Sequence, residues 1–105
     1  MAWKIEYINE AQKDLSNLDH SQKLQVLKAI EKVSENSLPN YEGGYGKPLG
    51  NNSETKLAGY YKIKLLKLGI RVVYGLEIKD DVMMIIVISV RADDAVYKLA
   101  DKRIK

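Results

Sequence analysis

The stretch Tyr60-Tyr61-Lys62-Ile63-Lys64-Leu65-Leu66-Lys67-Leu68-Gly69-Ile70-Arg71-Val72-Val73-Tyr74 decides how this chain is read. It predicts two β-strands joined by a tight turn around Lys67 to Gly69. Side chains alternate across a strand, so Lys62 and Lys64 emerge on one face while Tyr61, Ile63 and Leu65 emerge on the other. On the returning strand Arg71 stands between Ile70 and Val72, where it projects toward the side of the lysines. Lysines on a strand commonly form a solvated face that also discourages edge-to-edge pairing. The same three residues can instead grip a phosphate, with Arg71 as a fork for two oxygens and the lysines as compact charges.

Outward from this hairpin, the chain has the dimensions of one domain with one modest core. At 105 residues it would bury roughly two-thirds of the surface that its unfolded chain exposes. A content of 46% hydrophobic and 30% charged residues lacks the apolar depletion of disordered chains. The absence of cysteine excludes a disulfide framework and a thiolate metal site. The opening Met-Ala-Trp-Lys-Ile-Glu has no apolar core of signal-peptide length, and the longest apolar run, Val82 to Ile88, is far too short to span a bilayer. The expectation is a soluble, cytoplasmic protein with no membrane partner. Net charge is +3 but unevenly placed. Residues 1–50 hold six Lys against seven acids, and residues 51–105 hold eleven Lys or Arg against seven acids. The excess positive charge belongs to the half that contains the hairpin.

Taken in order, Trp3 to Ile8 alternates as a first strand with Trp3, Ile5 and Tyr7 on one face. Asn9 offers an N-cap with Gln12 three residues on, opening a helix striped by Ala11, Leu15 and Leu18. Asp19 with Gln22 repeats the pattern before a longer helix in which Leu24, Leu27, Ile30 and Val33 recur, widened by Val26. The outward positions Lys13, Asp14, Lys28, Glu31, Lys32 and Glu35 mix both signs and read as a solvated face. His20, the only histidine, lies at the helix-to-helix corner without a partner cluster nearby, so a corner or capping role is expected rather than a metal site. Residues 36–53 hold both prolines and four of the seven glycines, which marks a long loop. Within it Tyr41, Tyr45 and Lys47 are candidate RNA contacts, or the tyrosines fold back over the core edge. Gly43-Gly44-Tyr45-Gly46-Lys47 lacks the spacing of a P-loop.

Ala58 to Leu66 and Ile70 to Ile78 are then the hairpin strands, followed by the Asp80-Asp81 turn and a third strand, Val82 to Val90. Its near-continuous apolar run predicts a central strand covered on both faces, with Met83 and Met84 as core filler. Asp93 or Asp94 can cap a last helix striped by Val96, Leu99 and Ala100, with Tyr97 in its early turns.

From Tyr60 onward the chain resembles the RelE toxins of bacterial toxin–antitoxin systems, within the RelE/ParE superfamily. The resemblance is carried by Tyr61-Lys62-Ile63-Lys64-Leu65, Gly69-Ile70-Arg71-Val72-Val73-Tyr74, Ile88-Ser89-Val90-Arg91, Val96-Tyr97 and Lys102-Arg103-Ile104. The helix pair and Lys47-Pro48-Leu49-Gly50 fit more loosely. The resemblance implies a protein that binds the ribosomal A site and cuts mRNA there. It implies a site of Lys62, Lys64, Arg71, Arg91 and Tyr97, the last kept six residues beyond Arg91. The segment between Val90 and Val96 departs from the family, being short and carrying Asp93 and Asp94. The implied fold is α+β: a four-stranded, mainly antiparallel sheet with the N-terminal helix hairpin on one face, a short C-terminal helix, and the RNA site on the other face.

Cutting RNA through its own 2′-hydroxyl needs a base, charge stabilisation at phosphorus and an acid for the leaving oxygen. By resemblance, Lys64 with Lys62 activates the 2′-hydroxyl, Arg71 holds the scissile phosphate, Arg91 stabilises the transition state or assists the leaving group, and Tyr97 stacks on a base. The implied partners are a cognate RelB-like antitoxin, the 30S A site with its mRNA, and operator DNA only through the antitoxin complex. Antitoxins of this family wrap the toxin, displacing its C-terminal helix or covering its basic surface. No cofactor or metal is expected. The alternatives are a ParE-type inhibitor of DNA gyrase, which does not need the five RNA-cutting residues, and a catalytically inactive antitoxin-binding member in which Arg91 is misplaced.

Overall fold

Alternation along the strands and helical periodicity sort the apolar residues onto the two faces of one sheet. The computed structural model describes residues 3–36, 47–49, 57, 59–90 and 93–104. Strand β1 (Lys4–Tyr7) leads into helices α1 (Asn9–Ser16) and α2 (His20–Ser34). There follow β2 (Lys47–Pro48), β3 (Tyr60–Leu65), β4 (Ile70–Glu77), β5 (Val82–Ser89) and α3 (Asp93–Ile104). The sheet order is β1-β5-β4-β3-β2. The expected α+β architecture with four principal strands is present, and the two-residue β2 extends the sheet at one edge, inside what the sequence marks as loop. The sheet is mixed, because β1 runs parallel to β5 while the other pairs are antiparallel.

One core lies between the sheet and the helix pair. Ala11, Val26, Ile30, Ile70, Val72, Tyr74, Met83, Ile85 and Ile88 are buried there, with Trp3, Ile5, Tyr7, Tyr61, Ile63 and Leu65 packed against them. The hairpin therefore turns its apolar face to α1 and α2, as its alternation requires. A second core on the opposite face joins Leu57, Val73, Ile86 and Val87 to Val96 and Ala100 of α3. Strand β5 is covered on both sides, which is why it is almost wholly apolar.

The capping box of α2 forms as expected. Gln22 N donates to Asp19 Oδ1 at 2.8 Å and Asp19 N donates to Gln22 Oε1 at 3.3 Å. Three expectations need correction. Asn9 is the first helical residue of α1 rather than its cap, and the Ile8 carbonyl accepts from Gln12 N at 3.0 Å. The buried stripe of α2 is Val26, Ile30 and Val33, while Leu24 is 46% exposed. At about 100° per residue, positions three apart drift backward around the helix, and Leu24 ends about half a turn from Val33. Asp14, expected on the solvated face, is half-buried and paired with Arg103 of α3. His20 opens α2 as an exposed residue. The cap role given to Asp93 or Asp94 rests on side chains outside the described residues.

Two irregularities shape the sheet. Gly69 closes the β3–β4 turn at φ +66, a left-handed conformation that favours glycine. Between Val73 and Tyr74 the β4–β5 register shifts, with Val73 opposite Val87 and Tyr74 opposite Ile85. The unmatched Ile86 is a β-bulge, so Ile86 and Val87 both turn toward the second core and parity reverses beyond them.

Tyr74 is fully buried, with its ring 5.5 Å from that of Tyr61. Burial first, and Tyr61 second, push its phenol well above the usual tyrosine range. A raised folded-state value means that this contribution to stability is complete below the unfolded value of about 10 and is lost as pH rises through the folded one. Urea unfolding between pH 9 and 11.5 should therefore show stability falling with pH in the parent and falling less steeply in Tyr74→Phe. Parallel slopes would contradict this placement of Tyr74.

Candidate functional site

Strand pairing assembles a cationic face from residues far apart in sequence. In register, Lys64 stands opposite Arg71, and Arg71 stands opposite Ser89 on β5. One step along β3, Lys62 stands opposite Val73 on one side and Lys47 of β2 on the other. Residues directly opposite each other share a face, so Lys47, Lys62, Lys64, Arg71 and Ser89 all emerge on the side of α3, away from the helix pair. The bulge makes this possible for Ser89. With uninterrupted alternation from Met83 and Ile85 it would point into the first core.

Helix α3 closes one flank. Its Val96 and Ala100 are fully buried against the sheet, which brings the half-buried Tyr97 over β3. Lys62 Nζ donates to Tyr97 Oη at 2.8 Å, with the ammonium 5.4 Å from the ring centroid. At the turn end Arg71 Nη1 donates to the Gly69 carbonyl at 3.3 Å, and both Lys64 and Arg71 are half-buried. The hairpin tip beyond them carries Leu66, 85% exposed.

Like charges placed directly opposite on neighbouring strands destabilise a sheet, and this face holds two such pairs, Lys47 with Lys62 and Lys64 with Arg71. An anion bound between them would turn that repulsion into affinity. The phenol adds a flat surface and a hydroxyl that both accepts and donates. Among the described residues no group of His, Asp or Glu is arranged to hold a metal ion, and no helix is long and apolar enough to cross a membrane.

Of the five residues singled out by sequence, Lys62, Lys64, Arg71 and Tyr97 come together on this face. Arg91 lies outside the described residues, as do Tyr41 and Tyr45. Lys47 was legible only as a cationic loop residue; its place opposite Lys62 depends on a two-residue strand too short to leave a periodic pattern.

No protein-family model matches the sequence, and no curated protein matches it. Solved structures do. A doubly substituted variant of the Escherichia coli toxin RelE in the free state aligns over 100% of both chains with a TM-score of 0.76 and 26% identity. The same variant in complex with a peptide of the antitoxin RelB aligns over 100% of both chains with a TM-score of 0.70 and 26% identity. The RelBE2 toxin–antitoxin complex from Mycobacterium tuberculosis aligns over 89% of this chain and 95% of that one, with a TM-score of 0.70 and 21% identity.

The Lys62 to Tyr97 bond is measurable without any activity. A double-mutant cycle of Lys62→Met and Tyr97→Phe, read by chemical denaturation, should give a coupling of about 0.5–1.5 kcal/mol. A coupling indistinguishable from zero would mean that the contact does not hold in solution.

Proposed function

Because this chain is built on the RelE/ParE-like toxin fold, we propose that it is the toxin of a type II toxin–antitoxin pair and cuts mRNA in the ribosomal A site. The observation that carries the reading is the convergence of Lys62, Lys64, Arg71 and Tyr97 on one face of the sheet, with Lys62 bound to the Tyr97 hydroxyl. The gyrase-directed alternative gives these residues no task.

In this mechanism Arg71, opposite Lys64 on the adjacent strand, holds the non-bridging oxygens of the scissile phosphate. The lysine pair activates the 2′-hydroxyl and stabilises the charge that develops on it. The 2′-oxygen attacks phosphorus as its proton passes to an amine of the lysine pair, and the bond to the 5′-oxygen breaks as that oxygen takes up a proton, leaving a 2′,3′-cyclic phosphate and a 5′-hydroxyl. Charge builds on the phosphoryl oxygens in the transition state, where preorganised cations act most strongly because they need not reorient. Arg91 is assigned to that charge or to the leaving oxygen. Tyr97, steadied by Lys62, presents its ring to a base of the message. The fold offers no histidine to this site, so the ribosome is assigned a share in aligning the RNA.

The partner is a RelB-like antitoxin, supported by the antitoxin peptide bound to the similar E. coli toxin. A cationic face suits an acidic segment of such a partner, chiefly by steering their encounter. Operator DNA is reached only through that complex, and the reaction belongs in the cytoplasm, where ribosomes are.

Primer extension on programmed ribosomes with an empty A site tests the reading. The purified chain should cut within the A-site codon, and not without ribosomes. Arg71→Ala should lower the rate by roughly 10²-fold or more, the scale of losing one preorganised donor to a charged transition state. Absence of a cut by the parent chain under every ribosomal condition would overturn the proposal, and gyrase supercoiling would be assayed next.

A further inference from the structure

Strand β5 outruns its outer neighbour. β1 pairs with it only from Val82 to Ile85, and the last bond on that side runs from Ile8 N to the Ile85 carbonyl at 3.2 Å. Beyond this point β5 continues to Ser89, and among the described residues its outer edge is met by two side chains rather than by a strand. Ile88 N donates to Asp14 Oδ2 at 3.0 Å, and Arg103 Nη1 donates to the Ile86 carbonyl at 2.9 Å. The two side chains also hold each other. Arg103 Nη1 donates to Asp14 Oδ2 at 2.7 Å, and Nη2 donates to Oδ1 at 3.2 Å. Their side chains are only 13% and 18% exposed. A two-pronged, largely desolvated pair of this kind fixes orientation as well as distance.

The clasp joins three elements: α1 through Asp14, the bulged end of β5 through its backbone, and α3 through Arg103. On α3, Tyr97 lies six residues before Arg103, a rise of about 9 Å along the helix. The distance from β5 across β4 to β3 is two strand spacings, about 9.6 Å. Helix α3 thus crosses the sheet with a polar tether on each side: Tyr97 to Lys62 on β3, and Arg103 to Asp14 beside β5. Val96 and Ala100 bury the helix against the sheet, with Leu99 and Ile104 packed on the same core. To that packing the guanidinium fork adds a contact that fixes direction as well as distance.

We propose that Asp14 and Arg103 are positioning residues for the site. They contact no RNA, but they set the seat of α3 and hence the place of Tyr97 beside Lys62. The inference rests on the proposed reading for its functional consequence, and stands on the geometry of the clasp for its structural one.

The test combines two measurements on the full chain. The first is the aromatic carbon–proton NMR resonance of Tyr97, assigned with Tyr97→Phe, in the parent, Asp14→Asn, Asp14→Glu, Arg103→Lys and Lys62→Met. The second is the single-turnover rate of A-site cleavage and its half-saturating concentration. In Asp14→Asn and Arg103→Lys, the Tyr97 resonance should move toward its position in Lys62→Met. The cleavage rate should fall by roughly 10- to 100-fold with half-saturation unchanged, as expected when a group that orients the message is displaced by about 1 Å. Asp14→Glu, which keeps the fork, should recover much of both. If Asp14→Asn does not fold, Arg103→Lys gives the same reading with the carboxylate intact. A folded clasp variant whose Tyr97 resonance stays in place would overturn the proposal, as would a moved resonance with an unaltered rate. If the parent chain does not cut at all, the proposed function fails, and the resonance alone still decides whether the clasp seats Tyr97.

Discussion

Burying β5 on both faces obliges the molecule to satisfy that strand's backbone along its whole length. A backbone amide or carbonyl taken out of water without a partner costs as much as a lost hydrogen bond. β4 serves one edge throughout, but β1 is half as long as β5 and serves only the first part of the other. The remainder is met by a carboxylate from α1 and a guanidinium from α3. The requirement at this edge draws the N-terminal helix, the C-terminal helix and the end of the central strand to one place. The bulge falls in the same stretch. It reverses the parity of β5 just before its end, so that apolar residues continue to fill both cores while Ser89 joins the row of Lys64 and Arg71.

The two faces are unequal in purpose. The face under α1 and α2 is closed by large apolar side chains and needs nothing further. The face under α3 carries like charges in opposed pairs, Lys47 with Lys62 and Lys64 with Arg71. The hydrogen-bonded ladder holds these charges close together. Lys62 belongs to one of these pairs, and its ammonium also donates to the phenol of Tyr97 on α3.

Much of this was legible in the sequence, and the limits follow the range of the physical signal. Alternation from Tyr61 to Leu65 separated the lysines from the apolar residues because strand geometry is local and has a period of two. The apolar run in β5 announced a strand covered on both faces for the same reason, and Asp19 with Gln22 announced a capping box because both bonds lie within four residues. Leu24 was misplaced because a three-residue repeat imitates a helical stripe over one turn and departs from it over three. Asp14 was misread because its partner is 89 positions away, and a charge at a helix surface looks the same whether it meets water or a distant guanidinium. Lys47 could not be paired with Lys62 by inspection, since a two-residue strand leaves no pattern. The bulge at Ile86 was invisible among apolar residues that suit either face.

The parallel pairing of β1 with β5 joins the start of the chain to a segment near its end. No part of β1 can enter the sheet until residues 82–85 have been made, and Tyr97 and Arg103 follow later still. During synthesis the helix pair can form early from local contacts, but the sheet must await long-range closure, the slowest kind of step in small-domain folding. The cationic face and its phenol are consequently among the last features to be completed. A chain still being translated does not yet carry the assembled cationic face.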